Sequence, residues 1–152
     1  MKCVVISDTH GMYRQVTIPK GDVFIHAGDI TRLGSLPELR DFNDWLGDLP
    51  HKHKIIIAGN HDWCFEQTNK EARALLTNGT YLQDESLIIN GVKFYGSPWQ
   101  PEFYNWAFNL PRGDRLKEKW KLIPNDVDVL ISHGPRFGVL DEILSGERVG
   151  CS

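Results

Sequence analysis

Five side chains able to hold a metal ion arrive directly behind short apolar runs. Residues 3–7 lead into Asp8 and His10, residues 23–27 into Gly28-Asp29, residues 55–58 into Gly59-Asn60-His61-Asp62, and residues 127–132 into His133. Two Asp, one Asn and two or three His form a mixed oxygen and imidazole set without a thiolate. Such a set suits a divalent or trivalent ion such as Mn, Fe, Zn or Ni. One carboxylate can bridge two ions, and a two-ion site lowers the pKa of a bound water and clamps the oxygens of a phosphoryl group. The glycines before Asp29 and Asn60 permit sharp turns and close backbone approach. Taken singly, Asp8 reads as a helix cap, His10 as a surface loop residue and Asn60 as a turn residue. Their joint occurrence favours a metal site.

The elements that must position these donors follow from the same apolar runs. Each is short, rich in β-branched residues and bounded by Gly, Asn, Asp or Ser, which predicts buried strands at residues 3–6, 23–25, 55–57 and 127–131. Helical patterns lie between them. One covers residues 36–46 and ends near Gly47, with Leu36, Leu39, Phe42, Trp45 and Leu46 on one face; others cover residues 69–76 and 115–122. Strands alternating with helices argue for an α/β sheet. Asn90-Gly91 between two apolar runs predicts a hairpin, hence an antiparallel part. In open α/β sheets ligands bind beyond the carboxyl ends of the strands, so four loops would deliver their donors to one crevice.

Composition narrows the class. A chain of 152 residues suits one domain with a real core. The net charge of −3 gives no global field to attract nucleic acid or an acidic membrane, so no stable nucleic-acid complex is expected, and a polyanionic substrate would need local positive charge. No apolar run approaches a transmembrane length. The N-terminus turns polar too early for a signal peptide. Cys3, Cys64 and Cys151 are scattered and odd in number, which signals neither a disulfide framework nor a zinc knuckle, and a cytoplasmic location is the default expectation.

Asp8-Thr9-His10, Gly28-Asp29, Gly59-Asn60-His61-Asp62 and Ser132-His133-Gly134-Pro135 resemble, in order, the first four motifs of calcineurin-like metallophosphoesterases. Gly96-Ser97-Pro98-Trp99-Gln100-Pro101, residues 104–110 and Glu147-Arg148-Val149-Gly150-Cys151 resemble the small metallophosphoesterase-domain-containing subgroup, close to class III cyclic nucleotide phosphodiesterases. The resemblance covers essentially the whole chain. It implies two facing mixed β-sheets flanked by helices, a single domain over residues 1–152, and two divalent or trivalent metal ions. Asp8 and His10 would hold the first ion, Asp29 would bridge both, and Asn60 and His133 would hold the second. Asn60 would also touch substrate. His61 would be the catalytic residue, protonating the leaving oxygen or stabilising charge on the phosphoryl group.

Two departures stand out. Arg32 occupies a position where many phosphoprotein phosphatases of the superfamily carry an Asp that orients the catalytic His, so the orienting partner of His61 is left open and Arg32 is expected to bind a phosphate oxygen. The family's closing Gly-His-x-His motif does not occur in these 152 residues. The expectation is a domain lacking its C-terminal segment, weaker in metal, or a homo-oligomer covering an open sheet edge.

The expected activity is metal-dependent hydrolysis of a small-molecule phosphate ester, a nucleotide-like phosphodiester above a phosphoprotein. The competing class is a degenerate or truncated member that binds metal or nucleotide with little turnover, acting as a scaffold or sensor. His26, mid-strand, reads as a packed histidine, His51 and His53 as a solvated turn, and Cys64 as a buried small residue. The aromatics of residues 99–108 are dense enough that Trp99 or Tyr104 is a candidate wall for a nucleobase or aryl group.

Overall fold

The computed structural model describes residues 1–151. The first sheet contains β1 (Cys3–Ile6), β2 (Val23–Ala27), β3 (His53–Ile57) and β4 (Thr80–Tyr81), in that order and parallel throughout. The helix α1 (Leu36–Asp48) crosses from β2 to β3; α2 (Trp63–Gln67) and α3 (Asn69–Leu75) cross from β3 to β4. Next comes the expected hairpin, β5 (Glu85–Ile89) and β6 (Val92–Ser97). Asn90 and Gly91 have φ of 50° and 82°, the left-handed pair that a two-residue hairpin turn demands. The short parallel pair β7 (Gln100–Pro101) and β8 (Asn109–Leu110) brackets the aromatic loop, and α4 (Asp114–Trp120) leads to β9 (Val129–Ser132). Strand β9 runs parallel to β6, so mixed pairing is confined to the second sheet, β5-β6-β9.

Strand alternation explains why the two sheets face each other. Phe24 and Ile56 point to one side of the first sheet and pack with Leu39, Phe42 and Leu46 of α1. Val23, Ile25, Ile55 and Ile57 point to the other side and meet Leu82, Ile89, Phe94 and Ile131. At about 1.5–3 kcal/mol for each large apolar side chain fully buried, this two-sided packing holds helix and sheets together. Entry into α1 is set by a capping box. The Ser35 hydroxyl accepts the Glu38 N–H, and the Glu38 carboxylate accepts the Ser35 N–H at 3.0 Å.

One segment departs from the expectation. His51 is buried, its ring against Phe24 and its Nε2 bonded to the Pro19 carbonyl at 3.0 Å, and His53 opens β3. The polar spacing suggested a solvated turn; tertiary packing covers it instead. His26 is packed as expected, fully buried with Nε2 on the Thr9 hydroxyl at 2.9 Å. Among the described residues no helix is long and apolar enough to cross a membrane.

Candidate metal centre

The carboxyl ends of β1, β2, β3 and β9 converge, and their following loops are laced together by main-chain hydrogen bonds. Asp8 N–H donates to the Gly28 carbonyl, His10 N–H to the Asp29 carbonyl and Gly11 N–H to the Ile30 carbonyl, at 2.8–3.0 Å. Asp8, His10 and Asp29 all have positive φ, between 44° and 56°. Non-glycine residues hold such conformations where the surroundings over-determine them, and here these three are the donors themselves. Close approach is enforced by glycine. A Cβ on Gly28 (φ 101°) would lie 2.6 Å from His133 Nδ1, and one on Gly59 would lie 2.3 Å from Asp29 Oδ1.

Asp29 sits at the middle. Its Oδ2 lies 3.6 Å from His10 Nε2, and its Oδ1 lies 3.4 Å from His133 Nε2. His133 Nδ1 bonds to the Ala27 carbonyl at 2.9 Å; a carbonyl only accepts, so the proton is on Nδ1 and Nε2 turns inward, 3.2 Å from Asn60 Oδ1. Candidate ligand atoms of His10, Asp29 and His61 lie within 4.8 Å of one another, as do those of Asp8, Asp29 and His133. The structure therefore brings together all five donors expected from sequence, with Asp29 common to both groups. It groups Asp8 with His133, and His61 with His10, where the resemblance pairs Asp8 with His10.

The electrostatics favour positive charge here. Burial pushes the His133 imidazole down, but the hydrogen bond and charge of Asp29 outweigh it and raise the group to about 9. Burial pushes the Asp29 carboxyl up, and the His133 hydrogen bond and charge, with the His61 N–H, bring it below its ordinary value. A buried carboxylate kept ionised, flanked by imidazole and amide oxygen, is a donor set that fits a divalent cation.

Three features escaped the sequence. Asp62 is fully buried and its carboxylate accepts four hydrogen bonds, from the N–H groups of Ile30, Thr31 and Gly59 and from the Thr31 hydroxyl, at 2.7–3.1 Å. It ties the loop carrying Asp29 to the loop carrying Asn60. His61 finds its orienting partner in the main chain, the Arg32 carbonyl, 2.9 Å from Nδ1. The Arg32 side chain is exposed at a neighbouring hollow that also includes His10 and Thr31. Trp106 stacks on His61 with ring centroids 4.2 Å apart. Trp99 is placed elsewhere. Its indole N–H donates to Asp84 at 2.8 Å, Lys119 lies over its ring, and it lines a separate cavity with Trp120 and Leu130.

Residues 1–148 match the family model described as calcineurin-like phosphoesterase. The chain is 46% identical over 172 aligned residues to metallophosphoesterase domain-containing protein 1 of Homo sapiens, covering 97% of this chain and 53% of that protein. It is 42% identical over 165 residues to a UPF0046 protein of Caenorhabditis elegans, covering 99% and 56%. The chain thus spans about half the length of these curated relatives. A solved crystal structure shares the fold at a TM-score of 0.69 and 15% identity, covering 99% of this chain and 76% of the other.

Proposed function

The chain belongs to the calcineurin-like phosphoesterase family, and on that basis we propose that it hydrolyses a small-molecule phosphodiester, nucleotide-like in character, with two metal ions sharing Asp29. The observation that carries this reading is the division of the Asp29 carboxylate, one oxygen toward His10 and the other toward His133. Bound ions would supply a water of lowered pKa and charge to stabilise the phosphoryl oxygens. Asp8, His10, Asp29, Asn60 and His133 would hold them.

The remaining chemistry falls to the chain's own groups. His61, with Nδ1–H fixed on the Arg32 carbonyl, presents Nε2 to the substrate. With the ring protonated on both nitrogens, the Nε2 proton passes to the leaving oxygen as the phosphorus–oxygen bond breaks; the water oxygen bonds to phosphorus from the opposite side, and the proton the water gives up goes to solvent, from which Nε2 is reprotonated. The Arg32 guanidinium, exposed beside His10, is suited to a phosphate oxygen. His61 opens onto a cleft of about 660 Å³, which leaves room for an organic group on the phosphate.

Elemental analysis of protein purified without chelator, combined with hydrolysis of bis(4-nitrophenyl) phosphate and 4-nitrophenyl phosphate, tests the proposal. Metal in the protein and faster cleavage of the diester are expected. A metal-free protein that cleaves neither after metal addition overturns it.

A further inference from the structure

We propose that the cleft formed by Trp63, Phe103, Tyr104 and Trp106 beside His61 seats the leaving group of the substrate, and that this group carries a flat aromatic ring. The inference rests on the phosphoesterase reading of the same site and specifies its substrate class. Asn60 and His61 line the cleft together with these rings, so it borders a candidate metal donor and the proton donor for the leaving oxygen. A group bonded to that oxygen has this space to enter.

The walls are aromatic and open. Trp106 lies nearly parallel to His61, at 28° between ring planes. Phe103 and Tyr104 are 65% and 77% exposed, their rings meeting edge to face at 4.5 Å. Two adjacent large aromatic side chains left in water hold apolar area that a stacked ring would cover. Any flat π-face suits such walls, because stacking on aromatic side chains tolerates many ring types. The lining residues include no carboxylate to repel a phosphate ester.

The display is anchored. Asn109 Nδ2 donates to the Phe103 and Tyr104 carbonyls at 2.9 and 3.3 Å. Ala107 N–H donates to the Asn60 carbonyl at 3.1 Å, and Phe108 N–H donates to Glu66 Oε1 at 2.9 Å. Phe108 itself is fully buried. The loop is therefore fastened to the main chain of a metal-donor residue at one end while holding Phe103 and Tyr104 outward at the other.

The test compares binding of phenylphosphonate and methylphosphonate by calorimetry, using protein purified without chelator, together with hydrolysis of an aryl and a fluoroalkyl phosphodiester of matched leaving-group acidity. Wild type is expected to prefer the phenyl compound by about tenfold, the share that one stacking contact contributes. Phe103→Ala and Tyr104→Ala should each reduce that preference, and Tyr104→Phe, which keeps the ring, should retain it. Both positions are exposed, so the fold is not at stake. Hydrolysis without a phenyl preference, or a preference untouched by both alanine variants, overturns this inference alone. A phenyl preference without hydrolysis of either ester overturns the phosphoesterase reading and the leaving-group role with it.

Discussion

The carbonyl oxygen of Arg32 lies 2.9 Å from Nδ1 of His61. This contact keeps one proton on Nδ1 and directs the Nε2–H of the protonated ring to substrate, while Trp106 holds the ring face. His61→Ala is expected to keep its metal and to lose about 10²–10⁴ in kcat, the usual share of a general acid. Metal analysis beside the rate decides the role: if metal leaves with activity, His61 is a ligand together with His10 and Asp29.

Asp29→Asn should be the most damaging donor substitution, because both groups of candidate ligands include that carboxylate. Its metal content after purification without chelator should fall well below that of wild type and below that of Asn60→Ala. Chelator treatment of wild type should lower the thermal midpoint, since an ion bound only by the folded state stabilises it, and should leave Asp29→Asn nearly unmoved. Equal metal in wild type and Asp29→Asn would refute the assignment.

Asp62→Ala should unfold far more easily than its position outside the donor set suggests. The substitution strands the buried N–H groups of Ile30, Thr31 and Gly59, and each such orphan costs about 1–3 kcal/mol. We expect a loss of about 3 kcal/mol or more, read as a lower urea midpoint at unchanged slope. A loss under about 1 kcal/mol would mean that water replaces the carboxylate, since an unmet donor costs at least that much.

Glu38 gives an acid limb to stability. Burial works to raise its carboxyl, but hydrogen bonds from Ser35, Arg32 and Leu33 outweigh it and hold it below the ordinary 4.5. A depressed folded-state value contributes stability above the unfolded value, lost as pH falls through the folded one. Wild type should therefore lose stability below about pH 4.5, and Glu38→Gln should show a shallower acid limb there. The same carboxylate accepts the Arg32 N–H at 3.0 Å, so the variant should also loosen the carbonyl that orients His61 and lower kcat more than metal content. Parallel acid limbs in the two proteins would exclude this role.

Gly59→Ala is a small change with a specific cost. Its Cβ would fall 2.3 Å from Asp29 Oδ1 and 2.8 Å from His133 Cε1, so both donors must shift. Metal affinity should drop steeply. Gly91→Ala, whose Cβ meets open space although φ is 82°, should disturb only the hairpin turn. Metal titration of both variants separates a crowded centre from a generally weakened fold.

Much of the frame is legible in local pattern. The run of residues 3–6 is β1, Asn90-Gly91 is the turn of the β5–β6 hairpin, and the helix expected over residues 36–46 is α1 at Leu36–Asp48. Local pattern failed at α2, whose five residues are too few to establish a period, and at His51, whose cover comes from Pro19 and Phe24.

By itself the sequence determined the main strands, the long helix, the hairpin turn and the kinds of donor, because strand alternation, turn chemistry and the residue after each strand are properties of neighbours along the chain. It placed Asp8, His10, Asp29, Asn60 and His133 at strand ends. Only the tertiary structure decided which donors meet. Asp8 and His133 come together because β1 and β9 belong to facing sheets whose separation is set by packed side chains. It also decided that Arg32 orients His61 through its carbonyl, and that Trp106 rather than Trp99 covers the His61 ring. A main-chain carbonyl is the same atom in every residue, and the facing of two rings depends on where distant loops are fastened, so neither is written in residue identity or spacing.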